Sequence, residues 1–331
     1  MSPLFRFLAP KPVVYRNLVF KGGGVRGIAY IGALEVLEKE GILSGIERVA
    51  GTSAGAISAL LVSLRLPIDE VLELFSTLDF SKIPQSSTRK FKLPTRLPSD
   101  EEKLARIIRS YGLYSSEYFY GWLREVVAKY CDGNADATFM DFHQRGFLDP
   151  FIVVANLNKQ RGEVMSYPST PDVAVADAVR MSMSIPLYFE ALRFDGKKFG
   201  EGDYYVDGGL YNNYPIKVFD EAPYQTSSEL KRTKGNQETL GLFLYPDGST
   251  PIKRSSNPRN LMDYLSLVMS NVYSSYEVIQ YETSVIDQRR TIAISDRGVQ
   301  STDFDIVKGD EKYNLLRESG WKAARAFLKS H

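Results

Sequence analysis

The sequence predicts an α/β fold, with a mostly parallel central sheet flanked by helices and a helical cap. Strand-like and helix-like segments alternate over the first hundred residues, a rhythm typical of right-handed crossovers between parallel strands. The helical segments are apolar on the side that would face a sheet. With 331 residues, 44% of them hydrophobic and 24% charged, the chain can bury a large core.

The first four elements follow the order strand, helix, strand, helix. Residues 13–20 are rich in β-branched and apolar side chains, which favours a strand. Residues 27–40 carry apolar side chains at helical spacing, and Gly41 is a suitable stop. Residues 46–51 predict a short strand. An apolar helix over 53–66 follows and is closed by Pro67.

The later elements are less regular. Residues 67–130 are predicted to be mainly helical and to form the cap. Residues 151–167 predict two strands joined by a turn, and a buried helix is expected to start with Thr170 as N-cap and Pro171 as its first residue. A strand over 204–207 ends in an Asp-Gly-Gly turn. Two further strands, a long helix from 258 and a charged last helix complete the prediction.

Charge and composition exclude several classes of protein. The net charge of +1 provides no field to attract nucleic acid, so no nucleic-acid partner is expected. The single Cys131 excludes an internal disulfide and fits a reducing compartment. No transmembrane run and no signal peptide is found in the sequence. We therefore expect a protein that is cytoplasmic, or is delivered into a cytoplasm, with peripheral membrane association.

The pentapeptide GTSAG at 51–55 is a candidate for a nucleophile. It fits the pattern G-x-S-x-G between a predicted strand and a predicted helix, a context in which a tight turn exposes the serine hydroxyl above the sheet. Ser53 is therefore a candidate nucleophile. The alternative is a turn of small residues in which Ser53 only caps the helix.

A serine nucleophile needs a base, and histidine is scarce. The two histidines are His143, in a polar stretch, and His331, the last residue given. A Ser-His-Asp triad is therefore not expected. Asp207 lies at a predicted strand end, where an open α/β sheet places catalytic residues, so a carboxylate base is the better candidate. The alternative for Asp207 is ordinary Asp-Gly turn chemistry.

The glycines at 22–24 and 27 could belong to one of three kinds of site: a dinucleotide-binding fingerprint, a phosphate-binding P-loop or an oxyanion hole. The fingerprint needs an acidic residue some ~20 residues later, after the second strand, and the chain has the GTSAG turn there. A P-loop also fails, since no Gly-Lys-Ser/Thr follows. Loops after consecutive parallel strands share one sheet edge, so the glycine loop should face Ser53. An oxyanion hole is thus favoured over nucleotide binding.

Three motifs in this order resemble those of patatin-like phospholipases: GGGVRG at 22–27, GTSAG at 51–55 and DGG at 207–209. The run SMSIPLYF at 182–189 also resembles that family, and the resemblance covers about residues 18–216. It implies a three-layer sandwich and a dyad without histidine. Ser53 would be the nucleophile, Asp207 the base, and Gly23 and Gly24 the oxyanion-hole donors. The expected supporting residues are Gly22, Arg26, Gly27, Gly51, Gly55, Gly208 and Gly209.

The resemblance implies a lipid acyl hydrolase, of phospholipase A or lysophospholipase type, that forms an acyl-enzyme. The expected substrate is a phospholipid or lysophospholipid, and neither cofactor nor metal is expected. One alternative is an acyltransferase using the same dyad. Another is a non-catalytic module that binds a lipid or a partner, but the intact Ser53, Asp207 and glycine loop argue against it.

Domain organisation and partners follow from the same resemblance. Residues 18–216 would form the catalytic core, with the cap at about 67–130. Residues 217–331, which carry no motif, would complete the same domain and are a candidate regulatory region. Several family members require an activator, so a protein or small molecule is an expected partner. The basic stretch 81–99 interleaves aromatic and aliphatic residues with its charges and suits an anionic membrane surface; a solvated loop is the alternative. The sequence gives no oligomeric state.

Overall fold

The computed structural model describes residues 13–79, 100–225, 235–246, 284–301 and 303–330, and the single residues 82, 264, 268 and 271. The described strands are β1 (Asn17–Phe20), β2 (Arg48–Thr52), β3 (Gly112–Tyr114), β4 (Asp149–Asn156), β5 (Arg161–Met165), β6 (Leu187–Phe189), β7 (Leu192–Phe194), β8 (Asp203–Asp207), β9 (Thr239–Tyr245) and β10 (Thr291–Ser295). The described α-helices are α1 (Ile28–Lys39), α2 (Ala54–Ser63), α3 (Ile68–Thr77), α4 (Asp100–Ser110), α5 (Glu117–Tyr130), α6 (Phe139–Gln144), α7 (Val175–Ser182), α8 (Gly209–Asn212), α9 (Val285–Arg289) and α10 (Glu311–Ser330).

One mixed sheet organises these elements. Neighbouring strands follow the order β10-β9-β1-β2-β4-β8-β7, and β5 also pairs with β4. The pairs from β10 to β4 are parallel, whereas β5, β8 and β7 are joined to the sheet by antiparallel pairs. A small second sheet joins β3 and β6. The predicted α/β fold with a mostly parallel central sheet is confirmed, and the antiparallel strands extend it beyond β4.

The central strands are buried on both faces. Side chains alternate along a strand, so Leu18 and Phe20 enter the larger hydrophobic core while Val19 enters a smaller one on the opposite face. Helices α1, α2 and α10 contribute to the larger core. On the smaller side, the covering residues include Ile216 and Phe219. Burial on both faces explains why β1 is apolar at every residue from Leu18 to Phe20.

The last helix docks on the first. A Cβ added to Gly32 of α1 would lie 1.9 Å from the Arg317 carbonyl oxygen, and one added to Gly320 of α10 would lie 1.8 Å from that of Ala29. Each helix thus presents a glycine to the backbone of the other. Since β9 and β10 also join the main sheet, the region after residue 217 packs directly on the elements that carry the motifs.

The predicted start of the buried helix at Pro171 is wrong, because α7 begins at Val175. The intervening backbone is bonded to the chain around the start of α6. The Phe139 N–H donates to the Val173 carbonyl oxygen, and the Val175 N–H donates to that of Ala137. Thr170 is not an N-cap; its Oγ1 accepts a hydrogen bond from the Ser166 N–H at 3.1 Å. Tertiary pairing thus overrides a local start pattern.

Parts of two sequence predictions lie outside the described residues. These are the basic stretch 81–99, apart from residue 82, and the long helix from 258, apart from residues 264, 268 and 271. Within the predicted cap, α3 and α5 place side chains in the same core as the sheet. A search of the described part of the chain finds no helix with the length and apolar character needed to cross a bilayer.

Candidate active site

Ser53 occupies a sharp turn between β2 and α2. Its backbone has φ 55° and ψ −126°, a conformation that a residue with a Cβ rarely adopts. A Cβ on Gly51 would lie 2.0 Å from the Gly55 carbonyl oxygen, and one on Gly55 would lie 2.4 Å from that of Phe20. The turn therefore requires glycine on both sides of the serine. Strain of this kind is typical of a nucleophile elbow.

The C-terminal end of α7 and the residue after it contact the serine. The Ser53 N–H donates to Ser182 Oγ at 2.9 Å, and that hydroxyl donates to the Val153 carbonyl oxygen at 2.6 Å. The Ser53 hydroxyl lies 3.9 Å from the sulfur of Met183. Ser53 is only 5% exposed, so the serine is enclosed by the surrounding protein.

Asp207 ends β8 and is 2% exposed. Its Oδ1 accepts a hydrogen bond of 2.7 Å from the Gly209 N–H, and its own N–H donates to the Ser184 carbonyl oxygen at 2.8 Å. A Cβ on Gly208 would lie 2.2 Å from the Val153 carbonyl oxygen. The Asp-Gly-Gly turn thus lets the chain pass against β4 while a backbone amide orients the carboxylate.

The pairing along β4 brings Ser53 and Asp207 to one place. β2 pairs with β4 as far as Thr52, opposite Val153, and β8 begins opposite Val154 with Asp207. β5 pairs with residues 152–156 of β4, a range that includes residues paired with β2 and residues paired with β8. Because a strand has only two edges, β5 lies along one edge of β4 and β2 and β8 share the other. The two strand ends therefore meet one residue apart on β4, where one residue advances the strand by about 3.3 Å.

The glycine loop lies beside the serine turn. The Gly22 N–H donates to the Asn213 carbonyl oxygen at 2.8 Å, and a Cβ on Gly27 would be in ordinary contact with the Cβ of Ala54, the residue after the serine, at 3.5 Å. Among the described residues, no acceptor takes the amide hydrogens of Gly23 or Gly24. Within that part of the chain, both donors are available to a ligand. Gly24 has φ 59°, and a Cβ added to it would lie 2.1 Å from the Ser301 carbonyl oxygen.

Arg26 braces the glycine loop from the side of the C-terminal strands. Its Nε donates to the Gly23 carbonyl oxygen and its Nη1 to Asp296 Oδ2, both at 3.0 Å. Asp296 follows β10 and its side chain is 6% exposed. The loop amide at Val25 also donates to the Ser301 carbonyl oxygen. Arg26 therefore has a positioning role, because it connects the glycine loop to Asp296 in the region after residue 217.

Replacing Arg26 with methionine is expected to lower the free energy of unfolding by about 1.5–3 kcal/mol, because the buried Asp296 loses a charged partner. We expect kcat to fall about tenfold or more, because a small displacement of positioning groups is costly in catalysis. Chemical denaturation and ester-hydrolysis kinetics measure the two effects.

The control for this variant is Arg145→Met. Arg145 forms an exposed ion pair with Asp132, so its loss should cost only about 0.2–1 kcal/mol and leave kcat unchanged. In a double-mutant cycle with Asp296→Asn, the second change should cost less once Arg26 is absent. Fully additive losses would contradict the bracing role.

The histidines lie apart from this site or outside the described residues. His143 lies on α6, stacks on Tyr167 with ring centroids 3.9 Å apart, and contacts Asp149 at the start of β4. Ser53 lies beside Val153, towards the other end of that strand. His331 is outside the described residues. The structure thus brings Asp207, and not His143, to Ser53.

Four positions that the site uses have no role that the sequence alone indicates. Ser182 and Ser184 hold the backbones of the candidate dyad, while Asp296 and Ser301 support the glycine loop. The only sequence feature pointing to the first pair was the SMSIPLYF run, in which two serines flank a methionine. The second pair has no recognisable pattern, since its partners lie far away in the sequence.

This chain is similar to one protein family, to a bacterial relative over nearly its whole length and to a solved structure with the same fold. The patatin-like phospholipase family model matches residues 18–220. Protein YqhO of Bacillus subtilis (strain 168) is 30% identical over 325 residues, which cover 96% of this chain and 99% of YqhO. Among solved structures, VipD from Legionella pneumophila has a TM-score of 0.60 at 18% identity, over 96% of this chain and 67% of that one. VipD shares the fold.

Two further relatives carry functional names. The probable lipid hydrolase 463L of Invertebrate iridescent virus 6 is 25% identical over 214 residues, covering 63% of this chain and 64% of the viral protein. The cGAMP-activated phospholipase of Pseudomonas aeruginosa is 25% identical over 215 residues, covering 62% of this chain and 57% of that protein. This chain therefore spans less than two thirds of either relative.

Proposed function

Because this chain belongs to the patatin-like phospholipase family, as its motifs predicted, and is therefore a lipid ester hydrolase, we propose that it cleaves fatty acyl esters of phospholipids or lysophospholipids. In this proposal Ser53 is the nucleophile and Asp207 the base, and the reaction passes through an acyl-enzyme. Gly23 and Gly24 donate the oxyanion-hole hydrogen bonds.

One observation carries the proposal. The backbone amides of Ser53 and Asp207 are both bonded to the three residues 182–184, through Ser182 Oγ and the Ser184 carbonyl oxygen. A single short segment thus fixes the strained serine and the buried carboxylate relative to each other. A nucleophile and base need this kind of mutual orientation, whereas a helix cap and a turn residue do not.

The proposed reaction has two steps. Asp207 accepts the proton of the Ser53 hydroxyl while Oγ attacks the ester carbonyl carbon. The resulting oxyanion is stabilised by the free amides of the glycine loop, each good donor contributing about 3 kcal/mol. The carbon–oxygen bond to the alcohol then breaks, and the alcohol leaves with the proton from Asp207. In the second step water gives a proton to Asp207 and attacks the acyl carbon; Ser53 regains its proton as the fatty acid leaves.

For the partners and the cellular location, the proposal names only general classes. The lipid substrate is presented by a membrane surface, so association with that surface is expected to be peripheral. Activation of the Pseudomonas aeruginosa relative by cGAMP supports a small-molecule activator for this chain as well. A cytoplasmic location, or delivery into a cytoplasm, stays a prediction, as does the membrane contact of residues 81–99.

The nucleophile is tested by a fluorophosphonate that carries an alkyl chain. We expect mass spectrometry to find a covalent adduct on the peptide containing Ser53, together with loss of fatty acid release from phosphatidylcholine–phosphatidylglycerol vesicles. Ser53→Ala should give no adduct. Ser58→Ala is the control, because Ser58 lies on the same helix and, among the described residues, its hydroxyl donates only to the Ala54 carbonyl oxygen of its own helix. An adduct that persists in Ser53→Ala would refute the assignment.

A further inference from the structure

A pocket of about 510 Å³ lies between α4, α5, α7 and the β7–β8 pair. Guanidinium groups enter it from three elements, at Arg109, Arg180 and Arg193. Its volume is in the range of pockets that bind small organic ligands. None of the residues assigned to the dyad or the oxyanion hole lines it.

The carboxylates of the pocket already have partners. Glu117 accepts a hydrogen bond of 2.7 Å from Arg180, and Glu190 one of 2.5 Å from Arg106. Across the described part of the chain, neither Arg109 nor Arg193 pairs with a carboxylate. Arg193 instead bonds the Gly202 carbonyl oxygen and lies over the ring of Tyr204. Two positive charges therefore remain uncompensated at the rim.

The base of the pocket is rigid. Arg180 is 5% exposed, and its guanidinium carbon lies 4.3 Å from the ring centroid of Tyr120 and 4.8 Å from that of Phe199. Its Nε also donates to Ser116 Oγ at 2.9 Å. A buried guanidinium fixed between two rings forms a preorganised surface, so a ligand would lose little free energy in ordering it.

We propose that this pocket binds a phosphate-bearing organic molecule. Two guanidinium groups without carboxylate partners are suited to a phosphate, which accepts several charge-assisted hydrogen bonds at once. The rings of Tyr111 and Tyr204, which pack edge to face at 5.7 Å, offer contact to the organic part. The phosphate belongs either to a soluble ligand or to a lipid headgroup, and the two sources are separable by experiment.

Two elements that line the pocket, α7 and β8, are connected to the candidate dyad. The Arg180 carbonyl oxygen accepts a hydrogen bond from Ser184 Oγ at 2.9 Å, and Ser184 in turn bonds the Asp207 backbone. Tyr204 precedes Asp207 by three residues on β8. A ligand held between α7 and β8 would therefore stabilise the segment 182–184 against the end of β8, and we expect it to raise hydrolysis; this second part rests on the proposed function.

The test compares Arg109→Gln/Arg193→Gln with Lys322→Gln/Lys329→Gln, a variant with the same change of charge on the exposed side of α10. Calorimetry with AMP and ribose 5-phosphate measures the soluble source. Cosedimentation with phosphatidylcholine vesicles, with and without phosphatidic acid, measures the headgroup source. Each arginine should contribute about tenfold to affinity. Thermal unfolding checks that both variants fold, and Arg109→Gln alone, on an exposed position of α4, serves if the double variant does not.

Weaker binding of AMP by the arginine variant alone supports a soluble ligand. Loss of the preference for phosphatidic acid, without AMP binding, supports a headgroup. If the arginine and lysine variants match the wild type in both assays, the pocket is not a phosphate site. Binding is measured also in Ser53→Ala, so a failure of the proposed catalysis leaves this result intact, and binding without any effect on hydrolysis refutes only the coupling.

Discussion

Replacing Asp207 with asparagine is expected to lower kcat/KM for fatty acid release by about 10²–10⁴-fold, the range typical of a lost general base. The amide has nearly the same shape, and its oxygen can still accept the 2.7 Å hydrogen bond from the Gly209 N–H. It cannot take the proton of the Ser53 hydroxyl. The fold should therefore survive while the chemistry fails, which thermal unfolding and vesicle hydrolysis measure separately.

The matched control lies on the same strand. Asp203 begins β8, and its carboxylate accepts a hydrogen bond from Asn156 at 2.9 Å, so Asp203→Asn makes the same chemical change outside the dyad and should keep wild-type kcat. The double variant Ser53→Ala/Asp207→Asn should be no slower than Ser53→Ala alone, because the two residues act as a unit. An Asp207→Asn enzyme with more than about a tenth of wild-type activity would exclude the carboxylate as the base.

The sequence was most informative about elements that lie next to each other in space and along the chain. Each motif directly follows a strand-like run, and parallel strands place the loops after them on one edge. This was sufficient to predict that the glycine loop and Ser53 face each other, and Gly27 indeed lies against Ala54. The family, predicted from the three motifs, and the α/β class, predicted from the alternation of strand-like and helix-like segments, are both confirmed.

The position of Asp207 relative to Ser53 could not be predicted from local sequence patterns. The position of Asp207 depends on β8 pairing, in antiparallel orientation, with residues 154–156 of β4, which continue the same edge beyond the last residue paired with β2. No residue in β8 specifies that partner. The start of α7 shows the same limitation, since Thr170 and Pro171 form a good N-terminal pattern that backbone pairing to residues 137–140 overrides.

The support of the glycine loop was likewise not predictable from the sequence. Arg26 was expected to support the motif, but the pattern gave no partner for it. The partner is Asp296, 270 positions away in the sequence. Within the described part of residues 217–331, the support of the glycine loop comes from the Asp296 carboxylate and the Ser301 carbonyl oxygen, and neither leaves a recognisable sequence pattern.

Replacing Gly24 with alanine is expected to lower kcat by about 10²–10³-fold, the loss typical of one oxyanion-hole donor. The added Cβ would lie 2.1 Å from the Ser301 carbonyl oxygen, at a residue whose φ is 59°. That oxygen is backbone and is held by the Val25 N–H at 3.1 Å, so the loop itself must shift. The amides of Gly23 and Gly24 would move with it. Single-turnover kinetics measures the acylation step directly.

Gly41→Ala separates this displacement from the cost of an alanine at positive φ. Gly41 has φ 72° and no atom within 4 Å of an added Cβ, so its replacement costs only the backbone strain, about 1–2 kcal/mol. It should reduce stability without changing kcat. If Gly24→Ala loses a similar amount of stability and keeps its kcat, the glycine-loop amides do not stabilise the oxyanion. A loss of kcat in Gly24→Ala alone is the result expected if these amides act on the reacting carbonyl from a fixed position.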